Sequence, residues 1–143
     1  MRRLWLYAAA YLACGIVFLA LDSVWLTLAS QRLYQAEIGA ILATRPRLLP
    51  AAIFYVIYLA GVVGFCVAPG LARRSPLSAL VRGAGFGLVA YATYDLTNQA
   101  TLSTWSTKIT VLDLFWGTTA TALSAAVAVA VLRAWIPKAL EAE

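Results

Sequence analysis

The sequence predicts an all-α fold, an integral membrane four-helix bundle, and three observations support this. The chain has 143 residues, of which 63% are apolar and 12% are charged; soluble domains average about 45–50% and about 25%. Its mean hydropathy is +0.83. Four apolar runs reach the roughly 20 residues that a membrane-spanning helix needs, and short connectors between them favour antiparallel neighbouring helices.

The four predicted spans cover most of the chain. They are Leu4–Leu28, Leu48–Ala68, Gly83–Leu102 and Val111–Leu132. The first run follows a basic pair, as in a signal peptide, but it is too long for the apolar region of one, which predicts an uncleaved first span. Because no linker or internal repeat divides the chain, residues 1–143 are predicted to form a single transmembrane domain.

The longest connector, residues 29–47, is predicted to carry a short amphipathic helix between spans 1 and 2. Apolar side chains recur there at roughly helical spacing, with polar ones between them. The apolar residues are Leu33, Tyr34, Ile38, Ile41 and Leu42, and the polar ones are Arg32, Gln35 and Glu37. Such a segment can lie on the membrane surface or extend the first span, and the pattern leaves both arrangements open.

The distribution of basic residues predicts the orientation. One side of the membrane would hold seven of them, namely Arg2, Arg3, Arg73, Arg74, Arg82, Arg133 and Lys138. The other side would hold four, namely Arg32, Arg45, Arg47 and Lys108. Since basic residues accumulate on the cytoplasmic side, both termini are predicted to be cytoplasmic. The same bias accounts for the net charge of +5, so the predicted partner is the lipid bilayer and not nucleic acid.

The residue types that are missing or scarce restrict the chemistry. The chain contains no histidine, which excludes His-ligated zinc and Ser-His or Cys-His nucleophile pairs within it. Its two cysteines, Cys14 and Cys66, lie in different apolar runs at different predicted depths, which predicts two separate buried thiols. No metal site and no cofactor are predicted.

Three acidic residues lie within the spans or at their ends, where a charge costs about 2.5–3.5 kcal/mol on insertion scales. At a rise of 1.5 Å per residue, Asp22 lies about 27 Å from the inner end of its span, and Asp95 lies about 18 Å from the inner end of its own. Asp113 is near the outer boundary of a hydrocarbon layer roughly 30 Å thick. All three carboxyls are therefore predicted to lie in the outer half of the membrane.

Aromatic and amide residues are predicted at the same level, which suggests a ligand-binding pocket. Its predicted residues are Asp22, Trp25, Tyr55, Tyr58, Tyr91, Tyr94, Asp95, Asn98, Trp105, Asp113 and Trp116. In the inner half, Gly83-x-x-x-Gly87 and Gly117-x-x-x-Thr121 predict close approach of two helices through small residues.

Each acid also has a structural interpretation. Asp113 follows Thr110 at capping-box spacing and could stabilise the first turn of a helix. Asp22 is near enough to the interface to be partly hydrated. Asp95 could be a buried carboxyl, protonated or hydrogen-bonded to a tyrosine or an asparagine, that sets the register between helices.

These residues also resemble a known family. The motifs that carry the resemblance are Asp22-x-x-Trp25-Leu26, Phe54-Tyr55-x-x-Tyr58, Tyr94-Asp95-Leu96-Thr97-Asn98-x-Ala100-Thr101, Trp105 and Asp113-x-x-Trp116-Gly117. Over nearly the whole chain they resemble an uncharacterised family of small four-span bacterial membrane proteins, domain of unknown function 2177. The chain departs from the expected pattern at Ser106, where the family pattern suggests proline. The resemblance implies a bacterial inner-membrane location and four helices, but no activity.

Three functions remain open at this level. The first is binding or transport of a small cationic or amphiphilic molecule by carboxyl and aromatic groups, with a homodimer needed for two gates. The second is a membrane enzyme acting on lipid or isoprenoid-like substrates, in which paired carboxyls act as acid and base or hold a divalent cation. The third is a non-catalytic accessory subunit of a larger membrane complex. Whether the protein is an enzyme is left open.

Overall fold

The structure, a computed structural model, describes the backbone of residues 2–135 and the side chains of residues 4–135. Its helices are α1 (Arg2–Ala29), α2 (Gln35–Ile38), α3 (Leu48–Val62), α4 (Ala68–Ala72), α5 (Pro76–Thr101) and α6 (Thr107–Trp135). The described part contains no strand, which confirms the all-helical prediction. Among the basic residues used to predict orientation, Lys138 and the side chains of Arg2 and Arg3 lie outside the described residues.

Three helical stretches are long and apolar enough to cross a membrane. They are Leu4–Ile41, Leu48–Ala72 and Thr107–Trp135. Helix α5 is not among them, although its 26 residues would extend about 39 Å at 1.5 Å per residue. Polar side chains such as Arg82 and Asn98 lower its hydropathy. The protein is thus a membrane protein with three candidate spans, and a fourth span at residues 83–102 stays a prediction.

The connector after the first span is a continuation of the first helix. A π-helical turn at Ser30–Tyr34 joins α1 to α2, and a 3-10 turn at Gly39–Ile41 follows. Leu42 then has an extended backbone, and helical structure resumes at α3. Of the two arrangements left open by the sequence, the structure has the extension of α1.

The second connector is shorter than predicted, because Pro69 does not end the helix. A π-helical turn at Val63–Val67 leads directly into α4, which contains Pro69. Proline lacks an N–H donor, and a π turn is one of the irregularities by which a helix accommodates a local break in its hydrogen bonds. The helix therefore continues to Ala72, past Ala68, where the second predicted span ended.

The turn itself is closed by a Schellman arrangement. The Ser75 N–H donates to the Gly70 carbonyl and the Arg74 N–H donates to the Leu71 carbonyl, both at 2.9 Å. Arg74 has a φ of 49°, a left-handed conformation that glycine usually supplies at this position. Next, the Ser75 side chain accepts a hydrogen bond from the Ser78 N–H and caps α5, with Pro76 in its first turn.

The core is tightest where α5 and α6 pack through glycine. A Cβ atom added to Gly87 would lie 2.4 Å from the carbonyl oxygen of Gly117, and one added to Gly83 would lie 2.8 Å from that of Thr121. These contacts confirm the predicted close approach. Helices α1 and α3 complete the core with apolar side chains, and both cysteines are free and buried within it.

Candidate ligand-binding cavity

A cavity of about 530 Å³ lies among α1, α3, α5, α6 and the segment after α1. Its walls are predominantly aromatic. The lining residues are Asp22, Trp25, Leu26, Tyr34, Ile38, Leu42, Phe54, Tyr55, Tyr58, Ala90, Tyr91, Tyr94, Trp105, Asp113 and Trp116. Nine of these are aromatic, four are aliphatic and two are acidic, and no lysine or arginine is among them. Volumes of this size are typical of small-molecule sites.

Asp22 connects three helices on one side of the cavity. Its carboxyl group accepts a hydrogen bond from the hydroxyl of Tyr55 on α3. On α6, Nε1 of Trp116 lies 3.5 Å from the other carboxyl oxygen. Asp22 is buried, so these two donors provide most of its polar surroundings within the protein.

Asp113 is held by a second set of donors. Its Oδ1 atom accepts a hydrogen bond of 2.6 Å from the Tyr34 hydroxyl, and that hydroxyl accepts one of 2.9 Å from Nε1 of Trp25. The rings of Trp25 and Trp116 are stacked, with centroids 4.8 Å apart and planes 8° apart. Because Trp25 belongs to the Asp113 network and Trp116 to the Asp22 network, the stacked pair joins the two carboxyl sites.

The capping interpretation of Asp113 was wrong. Helix α6 begins at Thr107, and its first turn contains no acidic residue. Asp113 therefore lies beyond the reach of the unpaired N–H groups at the start of the helix. Its side chain is buried and bonded to Tyr34 instead.

Tyr58 and Tyr91 line the cavity where it meets the apolar core. The Tyr58 hydroxyl lies 2.7 Å from Oγ1 of Thr121, so its polar atom has a partner in the core. A Cβ atom added to Gly117 would lie 2.1 Å from the ring of Tyr91. Gly117 is thus required for Tyr91 to lie flat against α6 and face the cavity.

Polar contacts of Glu37 join α2 to the start of α6, next to the cavity residues Ile38 and Trp105. Glu37 accepts a hydrogen bond of 2.7 Å from the Ser106 hydroxyl and one of 3.1 Å from the Lys108 ammonium group. These contacts hold α2 against the loop between α5 and α6 and against the first turn of α6. In that loop, Nε1 of Trp105 donates to Oγ1 of Thr110 at 3.0 Å, and its ring meets Tyr94 edge to face.

One side of the cavity is open. Every residue from 48 to 57 is exposed except Tyr55, which is half-buried, so the first half of α3 stands away from its neighbours. Among the lining residues, Phe54 is 46% exposed and Tyr94 is 57% exposed. A molecule in the surrounding medium could reach the aromatic walls through this side.

Nine of the eleven residues predicted for the pocket line this cavity. They are Asp22, Trp25, Tyr55, Tyr58, Tyr91, Tyr94, Trp105, Asp113 and Trp116. Asp95 and Asn98 do not. Asp95 is 0% exposed and so does not reach the cavity, although Tyr91, four residues earlier on the same helix, lines it. Whether the nine residues bind a ligand stays a prediction.

Asp95 lies instead on the buried side of α5. Its side chain has an exposure of 0%, and neither carboxyl oxygen has a hydrogen-bond partner among the described residues. Within the described residues, Asp95 therefore makes no hydrogen bond to a tyrosine or an asparagine, which was one of its structural interpretations. Gly87, eight residues earlier, faces Gly117 and Thr121; the antiparallel register therefore places Asp95 opposite the turn of α6 between Thr110 and Asp113.

The sequence-based pocket missed six lining residues. They are Leu26, Tyr34, Ile38, Leu42, Phe54 and Ala90. Tyr34 is the most important of them, because it holds Asp113. Its signal was present in the sequence: Tyr34, Ile38 and Leu42 are spaced four residues apart, as on one face of a helix, within the segment predicted to be amphipathic.

Comparison with known protein families identifies the chain. A family model described as "Predicted membrane protein (DUF2177)" matches residues 7–130. The chain belongs to this family. The match confirms the resemblance found in the sequence motifs, and it includes every residue that lines the cavity. No curated protein and no solved structure matches the chain.

Proposed function

We propose that this protein binds a small amphiphilic cation in the aromatic cavity. The composition of the walls carries the proposal: nine aromatic side chains and two carboxyls face the cavity, and no basic side chain does. A cation placed over an aromatic ring gains about 0.5–2 kcal/mol, more when both are desolvated. An anion would meet carboxyls and the negative faces of the rings.

The two carboxyls are suited to act as counter-charges. Tyr55 and Trp116 direct donors at Asp22, and Tyr34 directs one at Asp113. Hydrogen bonds to a carboxylate are stronger than those between neutral groups, but an ionised group away from water remains costly without an opposite charge. A bound cation would provide that charge for both carboxylates, which is why we assign the binding role to Asp22 and Asp113.

The proposal extends to location and orientation. In our proposed topology the protein has four spans in a bacterial inner membrane, with both termini cytoplasmic, and the cavity lies in the outer half. Its open side between α3 and the neighbouring helices would then face the lipid of the outer leaflet. A ligand that partitions into the bilayer could enter there. Transport across the membrane would further require a second gate, which a homodimer could supply.

Two ions of similar size and opposite charge test the proposal. Tetraphenylphosphonium and tetraphenylborate would each be titrated into the purified protein in non-ionic detergent. Trp25, Trp105 and Trp116 line the cavity, so their fluorescence should report occupancy. We expect saturable binding of the phosphonium ion and little binding of the borate. Equal binding of both ions would contradict the proposed charge selectivity.

Substitutions test which carboxyls are responsible for phosphonium binding. Asp22→Asn and Asp113→Asn should each weaken phosphonium binding at least tenfold, which corresponds to about 1.4 kcal/mol. Asp95→Asn is the matched control, because it makes the same change at an acid that does not line the cavity and has no hydrogen-bond partner among the described residues. A comparable loss in this control would show that the attraction comes from the general negative charge and not from the site.

A further inference from the structure

A second cavity, of about 440 Å³, lies at the beginning of α5 and shares no residue with the aromatic cavity. It is lined by Arg73, Ser75, Leu77, Ser78, Val81 and Arg82. Its composition is the opposite of that of the first cavity, with two arginines and no acid. Sixteen residues of helix separate Ser78 from Tyr94, about 24 Å at 1.5 Å per residue, so the two cavities lie toward opposite ends of the molecule.

The arginines of this cavity have no counter-charge in the described part of the chain. The acids of that part are Asp22, Glu37, Asp95 and Asp113. Glu37 pairs with Lys108, while Asp22 and Asp113 belong to the aromatic cavity. The guanidinium groups of Arg73 and Arg82 make no hydrogen bond or ion pair with other groups of residues 4–135. Guanidinium groups bind phosphate oxygens with two parallel hydrogen bonds, so this pair is suited to a phosphate group.

An unused hydroxyl lies beside the arginines. The Oγ atom of Ser78 is buried and has no hydrogen-bond partner among the described residues. The neighbouring Ser75 side chain already accepts a hydrogen bond as the cap of α5. A buried polar group left without a partner costs about 1–3 kcal/mol. A phosphate oxygen in the cavity could accept the hydrogen bond that the Ser78 hydroxyl leaves unused.

Apolar side chains beside the two arginines favour a lipid over a free anion as the ligand of this cavity. Leu77 is 68% exposed and Val81 is 62% exposed, and residues four apart on a helix lie on one face. They form an apolar strip next to the arginines, along which an acyl chain can lie. We infer that this cavity binds the phosphate of an anionic phospholipid headgroup, with Arg73, Arg82 and Ser78 as its polar contacts. Basic pockets at the cytoplasmic ends of helices bind such headgroups in other membrane proteins.

The test measures thermal unfolding of the full-length protein in mixed micelles. One series adds phosphatidylglycerol, a second adds phosphatidylcholine at the same concentration, and a third adds inorganic phosphate. We expect a saturable rise in Tm with phosphatidylglycerol alone. An equal rise with phosphatidylcholine would overturn the headgroup specificity. An equal rise with inorganic phosphate would show an anion site and overturn the lipid assignment.

Matched double substitutions locate the effect. Arg73→Gln with Arg82→Gln should abolish the phosphatidylglycerol response or shift its midpoint at least tenfold. Arg45→Gln with Arg47→Gln removes the same charge outside both cavities and should leave the response intact. If both double variants lose it equally, the lipid acts through the overall charge, and the site is overturned.

Ser78→Ala separates binding from a structural role. The Ser78 hydroxyl makes no hydrogen bond in the described structure, so its removal should leave Tm without lipid unchanged or higher. The phosphatidylglycerol response should nevertheless weaken. An unchanged response would remove Ser78 from the proposed site, and a lowered Tm without lipid would show that the hydroxyl has another partner.

Discussion

The carboxyls of Asp22, Asp95 and Asp113 have very different surroundings. Asp22 and Asp113 accept hydrogen bonds from tyrosine side chains and line the aromatic cavity. Asp95 is fully buried without a partner in the described part of the chain. Without a donor or a cation beside it, a carboxyl at this position is a cost to the fold, whereas the carboxyl of Asp113 contributes a hydrogen bond.

This contrast predicts opposite effects of the same substitution. Asp95→Ala removes two unpaired oxygens and no hydrogen bond, so we expect an unchanged or higher Tm. Asp113→Ala leaves the Tyr34 hydroxyl without its acceptor and should reduce the free energy of unfolding by about 1–3 kcal/mol. Thermal unfolding in detergent, followed by circular dichroism, measures both. A loss for Asp95→Ala as large as that for Asp113→Ala would show that Asp95 has a stabilising contact.

The pairing of α5 with α6 depends on backbone contact between the two helices. Ala79, Gly83, Gly87 and Asp95, all separated by multiples of four residues, are buried on α5. Without the predominantly hydrophobic drive that acts in water, membrane helices associate through close van der Waals packing of small residues. The glycines of this face therefore contribute to stability by having no side chain.

Two glycines of α5 provide a matched test. A Cβ atom at position 87 would lie 2.4 Å from a backbone oxygen of α6, whereas one at position 85 meets nothing within 4 Å. Gly87→Ala should therefore separate the helices and reduce the free energy of unfolding by about 1–3 kcal/mol, as overpacking typically does. Gly85→Ala should leave Tm unchanged or slightly raised, since alanine favours helix. Equal Tm values for the two variants would contradict this packing.

For the whole molecule, the decisive question is whether α5 crosses the membrane. It is long enough to do so, but it is not one of the three candidate spans. If α5 spans the membrane, both termini lie on the same side. The loop at residues 102–106 then lies on the side opposite to the turn at Arg73–Ser75. If it does not span, the loop at residues 102–106 lies on the same side as the turn at Arg73–Ser75.

Cysteine labelling in intact cells distinguishes the two topologies. In a Cys14→Ala, Cys66→Ala background, a membrane-impermeant thiol reagent should label Thr44→Cys and Ser103→Cys but not Ala72→Cys. This pattern follows from four spans with cytoplasmic termini. Labelling at position 44 without position 103 would indicate three spans, and labelling at position 72 alone would indicate the reverse orientation.

The sequence predicted much of the cavity because depth and composition are local properties. Counting residues from the span ends placed Asp22 at the same level as the tyrosines of α3, and Asp22 and these tyrosines do line the cavity. Depth does not determine rotation about a helix axis, however. Asp95 was predicted to line the pocket, yet it is fully buried on the face of α5 that packs against α6 and does not reach the cavity. Tyr34 was missed because its partner, Asp113, lies 79 residues away.

The sequence by itself determined that this is a helical membrane protein of the DUF2177 family, and it identified nine of the residues that line the cavity. Hydropathy is a sum over consecutive residues, so it can be calculated without knowing which residues are in contact. Only the tertiary structure decided which acids share a cavity, that Pro69 lies within a helix and that Asp95 has no partner in the described residues. These features depend on helix rotation and register, which are set by side chains from distant segments that pack against each other.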